Sequence, residues 1–455
     1  MGEVEPVVDA CVLRKRFFKY LAAAFGAVLT TSIYSFVDTV VVGQYEGEIG
    51  TAAISCVTPI WNLFIGFGIL FGIGGSVMFS IMRGKGDKRA ADEFFTAALI
   101  AVTAVAAVLY VVFLVFKRPV IALFGAGSDE AVLEKALAYV DYIGYVMPLL
   151  ILGNFLSAFI RNDGNPLLAT IAVCSGGAFN IFGDIFFVFG LDMGIGGAGL
   201  ATMIGQIISF CIMLTHFTMR KRCTLRFVRP RGFFRLAFAA ARGGFAPFIV
   251  DFSFGILVIL FNNRIMQTGG PTELGVFGAV ATTMLLVQCL FYGVGQALQP
   301  LASYEYGAGN VRGVKKLLKY ALLTAAVMSA VFCMLSLAIP EALIRVYISD
   351  LTDESLVLGA RAFRIYAIVY CFMGINVTLG YYFQSVLRVG VSVLISLLRG
   401  LVLCSALLYP LTALFGVDAV WWVMPGAETL TAVVSFILLL KVRLPECRTG
   451  GDGLA

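Results

Sequence analysis

Charge is scarce in this chain: only 13% of its 455 residues are Asp, Glu, Lys or Arg, against about 25% in an ordinary soluble domain. Histidine is almost missing, with His216 alone, which excludes a multi-histidine metal centre. The ten cysteines have no CxxC spacing. Most, such as Cys56, Cys174, Cys289 and Cys371, sit inside apolar runs, where a free thiol behaves as a small hydrophobe. That pattern excludes a secreted disulfide scaffold. There is no GxxxxGK[ST] loop, no HExxH and no GxSxG. ATP therefore does not drive the chain through a P-loop, and the chain reads as a non-enzyme that needs no cofactor. No cleavable leader pattern opens the sequence, so the first apolar span is expected to stay in the mature protein.

Apolar residues are what the chain has in excess. They make up 60% of the sequence, and the mean hydropathy is +0.95. A soluble fold could not hide so much apolar surface. The runs are continuous rather than alternating, which excludes an outer-membrane barrel. The fold class is all-α integral membrane, with twelve transmembrane helices. The first six are expected near 17–42, 52–82, 93–116, 134–160, 167–190 and 197–219, and the second six near 244–267, 275–304, 316–339, 357–387, 391–415 and 418–440. The net charge of +6 does not suggest nucleic acid, because the basic residues form short clusters between apolar runs. Those clusters fall in alternate connections, which places both termini in the cytoplasm and the chain as a multi-pass protein in the cell membrane.

The two halves echo one another. Gly72 and Gly74 match Gly293 and Gly295, and Gly84-Lys85-Gly86 matches Gly307-Ala308-Gly309, each followed by a basic stretch. Six spans per half make the repeat parallel, giving two pseudo-symmetric six-helix lobes, 1–228 and 229–455. The glycine pairs read as close-packing or kink sites. The very basic linker 220–243 contains Gly232-Phe233-Phe234-Arg235-Leu236-Ala237-Phe238, which reads as an interfacial amphipathic helix.

Ionisable residues inside such spans are expensive unless they face a cavity or a partner. Asp38 lies late in the first span and Asp184 within the fifth; Asp251 is in the seventh, Glu428 in the twelfth and Arg399 in the eleventh. Asn180 and Asp184 share a helix face, being four residues apart. Their oxygens can coordinate sodium, or the carboxylate can carry a proton. Thr202 and Gln206, also four apart, could add oxygens to the same cavity. Asp251 or Glu428 could pair with Arg399 or cap a kink. Gln288, Gln296, Gln299, Asn376 and Gln384 could line a substrate vestibule or act as packing glue between helices.

These residues carry a resemblance over about 15–442 to the multidrug and toxic compound extrusion (MATE) family. The carrying segments are Val37-Asp38-Thr39 with Val42-Gly43, Met82-Arg83-Gly84-Lys85-Gly86, Arg161-Asn162-Asp163-Gly164-Asn165-Pro166, Asn180-Ile181-Phe182-Gly183-Asp184, Gly196-Gly197-Ala198-Gly199-Leu200-Ala201-Thr202, and Gly293-Val294-Gly295-Gln296-Ala297 with Gly307-Ala308-Gly309-Asn310. The resemblance implies lobes around a central cleft, alternating access, and export of organic, often cationic, compounds against inward H+ or Na+. It places the cation site at Asp38, Asn180, Asp184 and Thr202. Tyr34, Gln206, Asp251, Gln288, Gln296 and Glu428 are secondary or substrate-cleft candidates. The expected partners are a small organic substrate and the lipid bilayer, with the chain as a monomer. The first span has no proline and the tenth no carboxylate, so features of relatives that depend on those residues do not carry over. A lipid-linked oligosaccharide flippase of the same superfamily is the alternative; such a protein needs a basic cavity, and only Arg399 lies well inside a span.

Overall fold

A computed structural model describes residues 10–124, 130–219, 222–346 and 353–442; the side chains at positions 10, 48, 251, 252, 254, 255, 271 and 354 lie outside that description. Every regular element among the described residues is helical. Twelve helices are long and apolar enough to cross a bilayer. They are α1 (Cys11–Gly47), α2 (Ile49–Gly84), α3 (Lys88–Leu123), α4 (Glu130–Asn162), α5 (Pro166–Gly190) and α6 (Gly194–Thr218), then α7 (Phe233–Thr268), α8 (Pro271–Gly307), α9 (Val311–Ala338) and α10 (Asp353–Ser385), and α11 (Val389–Phe415) and α12 (Val417–Lys441). A helix satisfies its own backbone polar groups, which hydrocarbon cannot do for it. Large apolar side chains such as Val108, Val115, Leu323 and Leu440 are exposed on the helix surfaces, as lipid-facing positions must be.

Most of the helices run past the expected spans because hydropathy marks the apolar stretch, whereas a helix continues to its cap. The start of α3 is set by Asp87 Oδ1, which accepts the Ala90 N–H at 2.9 Å. At the matching point of the second half, Asn310 Oδ1 accepts the Gly313 N–H at 2.9 Å and opens α9. The residues before these caps, Gly86 and Gly309, have φ of 82° and 76°, which glycine adopts freely. The second glycine pair of each half is thus a left-handed turn rather than a packing site. The first pair does pack closely: a Cβ on Gly72 would meet the Phe155 backbone, and one on Gly74 the Ala240 carbonyl.

Two further departures concern the connections. Between α1 and α2 there is almost no loop; the helices meet at Gly47, whose φ of 67° and ψ of –144° break the helical path. The expected interfacial helix at 232–238 is instead the opening of α7, which runs unbroken from Phe233. Gly243 and Gly244 do not end it, because they let α7 lie directly against Gly74 and Leu70 of α2. Phe234 and Phe238 remain outward-facing at 84% and 70% exposure.

The chain forms two compact units, Ala22–Phe248 and the remainder through Leu21 and from Ile249. The boundary falls inside α7, later than the expected 228/229 division. The first unit is centred on an aromatic cluster in which Phe155 and Phe159 stand 4.6 Å apart and Phe95 and Phe159 5.2 Å. The second is centred on Phe261, Phe277, Tyr366 and Trp421, with the first two rings stacked at 5.2 Å.

One end of the first unit is fastened by the lone histidine. His216 Nε2 lies 2.8 Å from Asp163 Oδ2, and Asp163 also accepts the Thr224 N–H at 2.8 Å and the Thr224 hydroxyl. The α4–α5 turn, the end of α6 and the linker are thereby tied together. Cys223 is buried beside this knot, and burial pushes its thiol up from the ordinary value. Thiolate is the nucleophile, so maleimide labelling of Cys223 in the folded protein should be slow at pH 7. It should rise only at a pH above that needed for a free peptide thiol and become ordinary in denaturant; site-resolved mass spectrometry checks this.

Candidate functional site

Four predicted residues come together in the first unit. Asp38 reaches inward from α1, Asn180 and Asp184 from α5, and Thr202 from α6, and all four are buried, Asp184 completely. Asn180 Nδ2 donates to Thr202 Oγ1 at 3.0 Å and to Asp184 Oδ1 at 3.3 Å. Small residues make this convergence possible. A Cβ on Gly176 would overlap the Gly205 carbonyl and the Ser209 hydroxyl, and one on Gly183 would press on Ala201, so α5 and α6 approach closely around Asn180. Gly177 likewise admits Thr30 and Tyr34 of α1. Gly176→Leu should separate these helices and lower stability by ~1–3 kcal/mol; a fall in the melting temperature of the detergent-solubilised protein reads this out.

Tyr139 of α4, not singled out from the sequence, completes the cluster. Its hydroxyl donates to Asp38 Oδ2 at 2.9 Å and also engages Thr202. A tyrosine in an apolar helix ordinarily reads as an interfacial aromatic, and only the position of Asp38 across the gap gives it another meaning. Tyr34 and Gln206 hydrogen-bond to each other in the same neighbourhood. The far ends of α1, α4 and α6 are joined by Glu46, which accepts Lys135 Nζ at 2.7 Å and the Ile195 N–H at 3.2 Å.

The charges in this enclosure do not cancel. Asp38 and Asp184 feel one another's charge, yet neither joins any ion pair among the described residues. Asp38 Oδ1, Asn180 Oδ1 and Asp184 Oδ2 are buried without a hydrogen-bond partner among the described residues. Buried polar atoms of this kind need an explanation, and water or an ion commonly supplies it. The free donors are all oxygen, which suits a proton or a hard cation. Immediately after Asp184, residues Ile185–Gly190 form a π-helical turn, a departure that occurs frequently at functional sites.

The second unit is built differently. Arg399, in a π-helical turn spanning Leu398–Val402, donates from Nε and Nη2 to Glu428 Oε1 at 3.0 and 2.8 Å. Asn376 Nδ2 donates to Glu428 Oε2 at 2.6 Å and to the Glu428 carbonyl at 2.9 Å. Of the two acids proposed for Arg399, Glu428 is therefore a partner; the Asp251 side chain lies outside the described residues. The pair forms one wall of a pocket that Gln288 also lines. Gln288 donates to the Tyr292 hydroxyl at 2.5 Å. Gln296 is partly buried in α8 and is not among the lining residues.

Twelve apolar helices, with a buried acid–amide–hydroxyl cluster inside the first unit, define a polytopic membrane transporter. The MatE family model matches residues 23–186 and 245–409, and the chain belongs to this family, the MATE transporters. The multidrug export protein MepA of Staphylococcus saprophyticus subsp. saprophyticus is 23% identical over 424 residues, covering 91% of each chain. Among solved structures, the outward-facing conformation of a multidrug resistance MATE family transporter superposes with a TM-score of 0.87 at 18% identity, covering 97% of this chain and 100% of that one. The MATE multidrug transporter DinF-BH gives 0.85 at 24% identity, with 98% and 99% covered.

Proposed function

We propose that this chain exports structurally varied organic compounds across the plasma membrane in exchange for inward-moving H+ or Na+, by alternating access. The reading rests on one observation above all: Asp38 and Asp184 share a buried enclosure with no basic partner among the described residues. Two carboxylates so placed are an incomplete charge set, and a small cation completes it. The MepA relative, named as a multidrug export protein, supports the substrate class. The Arg399–Glu428 pair weighs against a lipid-pyrophosphate flippase, since the one buried arginine well inside a span among the described residues is already neutralised.

In this mechanism a proton or sodium ion arrives from outside and neutralises Asp38 or Asp184. The packing of α1, α5 and α6 around it then changes, with the π turn after Asp184 as the compliant joint, and cargo is released outward. Loss of the cation to the cytoplasm resets the site. Proteoliposome efflux with separately imposed pH and sodium gradients tests this. One of the two gradients, acidic or sodium-rich on the outside, should drive export; export indifferent to both would reject antiport.

A further inference from the structure

The knot around Asp163 and His216 holds more than a hydrogen bond requires. Three kinds of donor converge there: a carboxylate from the α4–α5 turn, an imidazole from the 3-10 turn Thr215–Thr218 that ends α6, and the Cys223 thiol of the linker. Their ligand atoms all lie within 4.8 Å of one another, and no other such trio occurs among the described residues. All three are withdrawn from solvent: His216 is 0% exposed, Cys223 5% and the Asp163 side chain 2%. His216 Nε2 and Asp163 Oδ2 are 2.8 Å apart. The Cys223 sulfur has a long contact to the Leu225 carbonyl, at 3.9 Å, which does little to hold it in place. Carboxylate and thiolate together carry two negative charges, which a divalent ion cancels. Arg83 and Arg226 reach the same neighbourhood, where they favour the thiolate over the thiol. Their positive charge is the cost against which three ligands must hold a cation.

We propose that Asp163, His216 and Cys223 bind one Zn2+ ion, which clamps the α4–α5 turn, the end of α6 and the linker to one another. Imidazole, thiolate and carboxylate are zinc ligands, and a tetrahedral ion sets their donor atoms about 3.3–3.6 Å apart. The Asp163–His216 contact opens by about half an ångström to admit the ion, and the loosely held sulfur moves inward. A water completes the coordination from the side of Thr224, which is exposed. As oriented, the Asn165 amide donates to His216 Nδ1 at 3.4 Å, leaving the ring hydrogen on Nε2. On binding, that hydrogen passes to Nδ1, and the Asn165 amide, turned end for end, accepts it and fixes the ring. The thiol proton goes to solvent. Mg2+, which takes oxygen ligands, does not suit this set.

The test uses the full-length protein in detergent, stripped of metal and titrated with Zn2+ against a chromophoric chelator, and with Co2+ as an optical substitute. One ion per chain should bind and should withstand a large excess of Mg2+. The cobalt form should show a sulfur-to-metal charge-transfer band, which reports the thiolate directly, and Zn2+ should raise the melting temperature. Cys223→Ala leaves the Asp163 bonds to His216 and Thr224 in place and so keeps the fold. It should lose both the band and the zinc-dependent rise, and bind Zn2+ at least about tenfold more weakly. His216→Gln, whose amide can still donate to Asp163, should weaken binding at least about tenfold as well. Asp184→Asn should change neither the affinity nor the band, which separates this clamp from the coupling site. Failure to bind one ion per chain, a cobalt spectrum without the sulfur band, or equal zinc affinity in Cys223→Ala would each overturn the proposal.

Discussion

Asp184→Asn should abolish gradient-driven efflux from proteoliposomes, bringing it to the level of protein-free vesicles, while the protein still inserts and folds. The substitution is isosteric, and the amide oxygen can still accept from Asn180 Nδ2, the hydrogen-bond partner of Asp184 Oδ1. What disappears is the group that alternates between a charged and a neutralised state. Removing an uncompensated buried carboxylate should leave the melting temperature in detergent unchanged or raise it, because burial of an unpaired charge opposes folding. Asp38→Asn should behave in the same way, since the Tyr139 hydroxyl keeps an acceptor. Transport that survives in both variants would remove the two acids from the mechanism. Loss of transport together with loss of fold would assign them a structural role instead.

The second large effect is on stability and lies in the other unit. Arg399→Met alone strands the Glu428 carboxylate in a buried setting, and Glu428→Leu alone strands the guanidinium. Each should destabilise the protein by ~3–5 kcal/mol, as breaking a buried pair from one side typically does, whereas the double replacement removes both charges and should recover most of that loss. A double-mutant cycle on detergent unfolding measures the coupling. Near-additive effects would mean that the 2.8 Å contact contributes little and that the two side chains act separately. The cycle also separates this pair from the acids of the first unit, which have no ionic partner to lose among the described residues.

The contrast between the units shows what the sequence could and could not reveal. Hydropathy alone located the twelve spans, and i, i+4 spacing put Asn180 and Asp184 on one face. The meeting of that face with Asp38 was an expectation of resemblance, while Thr202 was offered for the same cavity from its spacing with Gln206; the glycine contacts of α5 now explain the convergence in steric terms. Tyr139 was missed because its role is fixed by a neighbour on another helix and by nothing in its own flanks. The choice of Glu428 for Arg399 was left open because it depends on how α11 and α12 pack, and periodicity within either helix does not specify that. The seventh span was expected from 244; in the structure Gly243 and Gly244 permit contact with α2 and the helix starts earlier, at Phe233. Both π turns escaped notice, since a wider turn leaves no compositional mark.

The junction at Gly47 has a practical consequence for experiments that map which side of the membrane each segment occupies. With no slack between α1 and α2, an inserted epitope or protease site must be absorbed by one left-handed residue and would pull on both helices at once. The exposed turn at Gly232, preceded by non-helical chain, can accept such an insertion without displacing a helix. Reporter tags placed there should preserve function, and the same tags at residue 47 should abolish it.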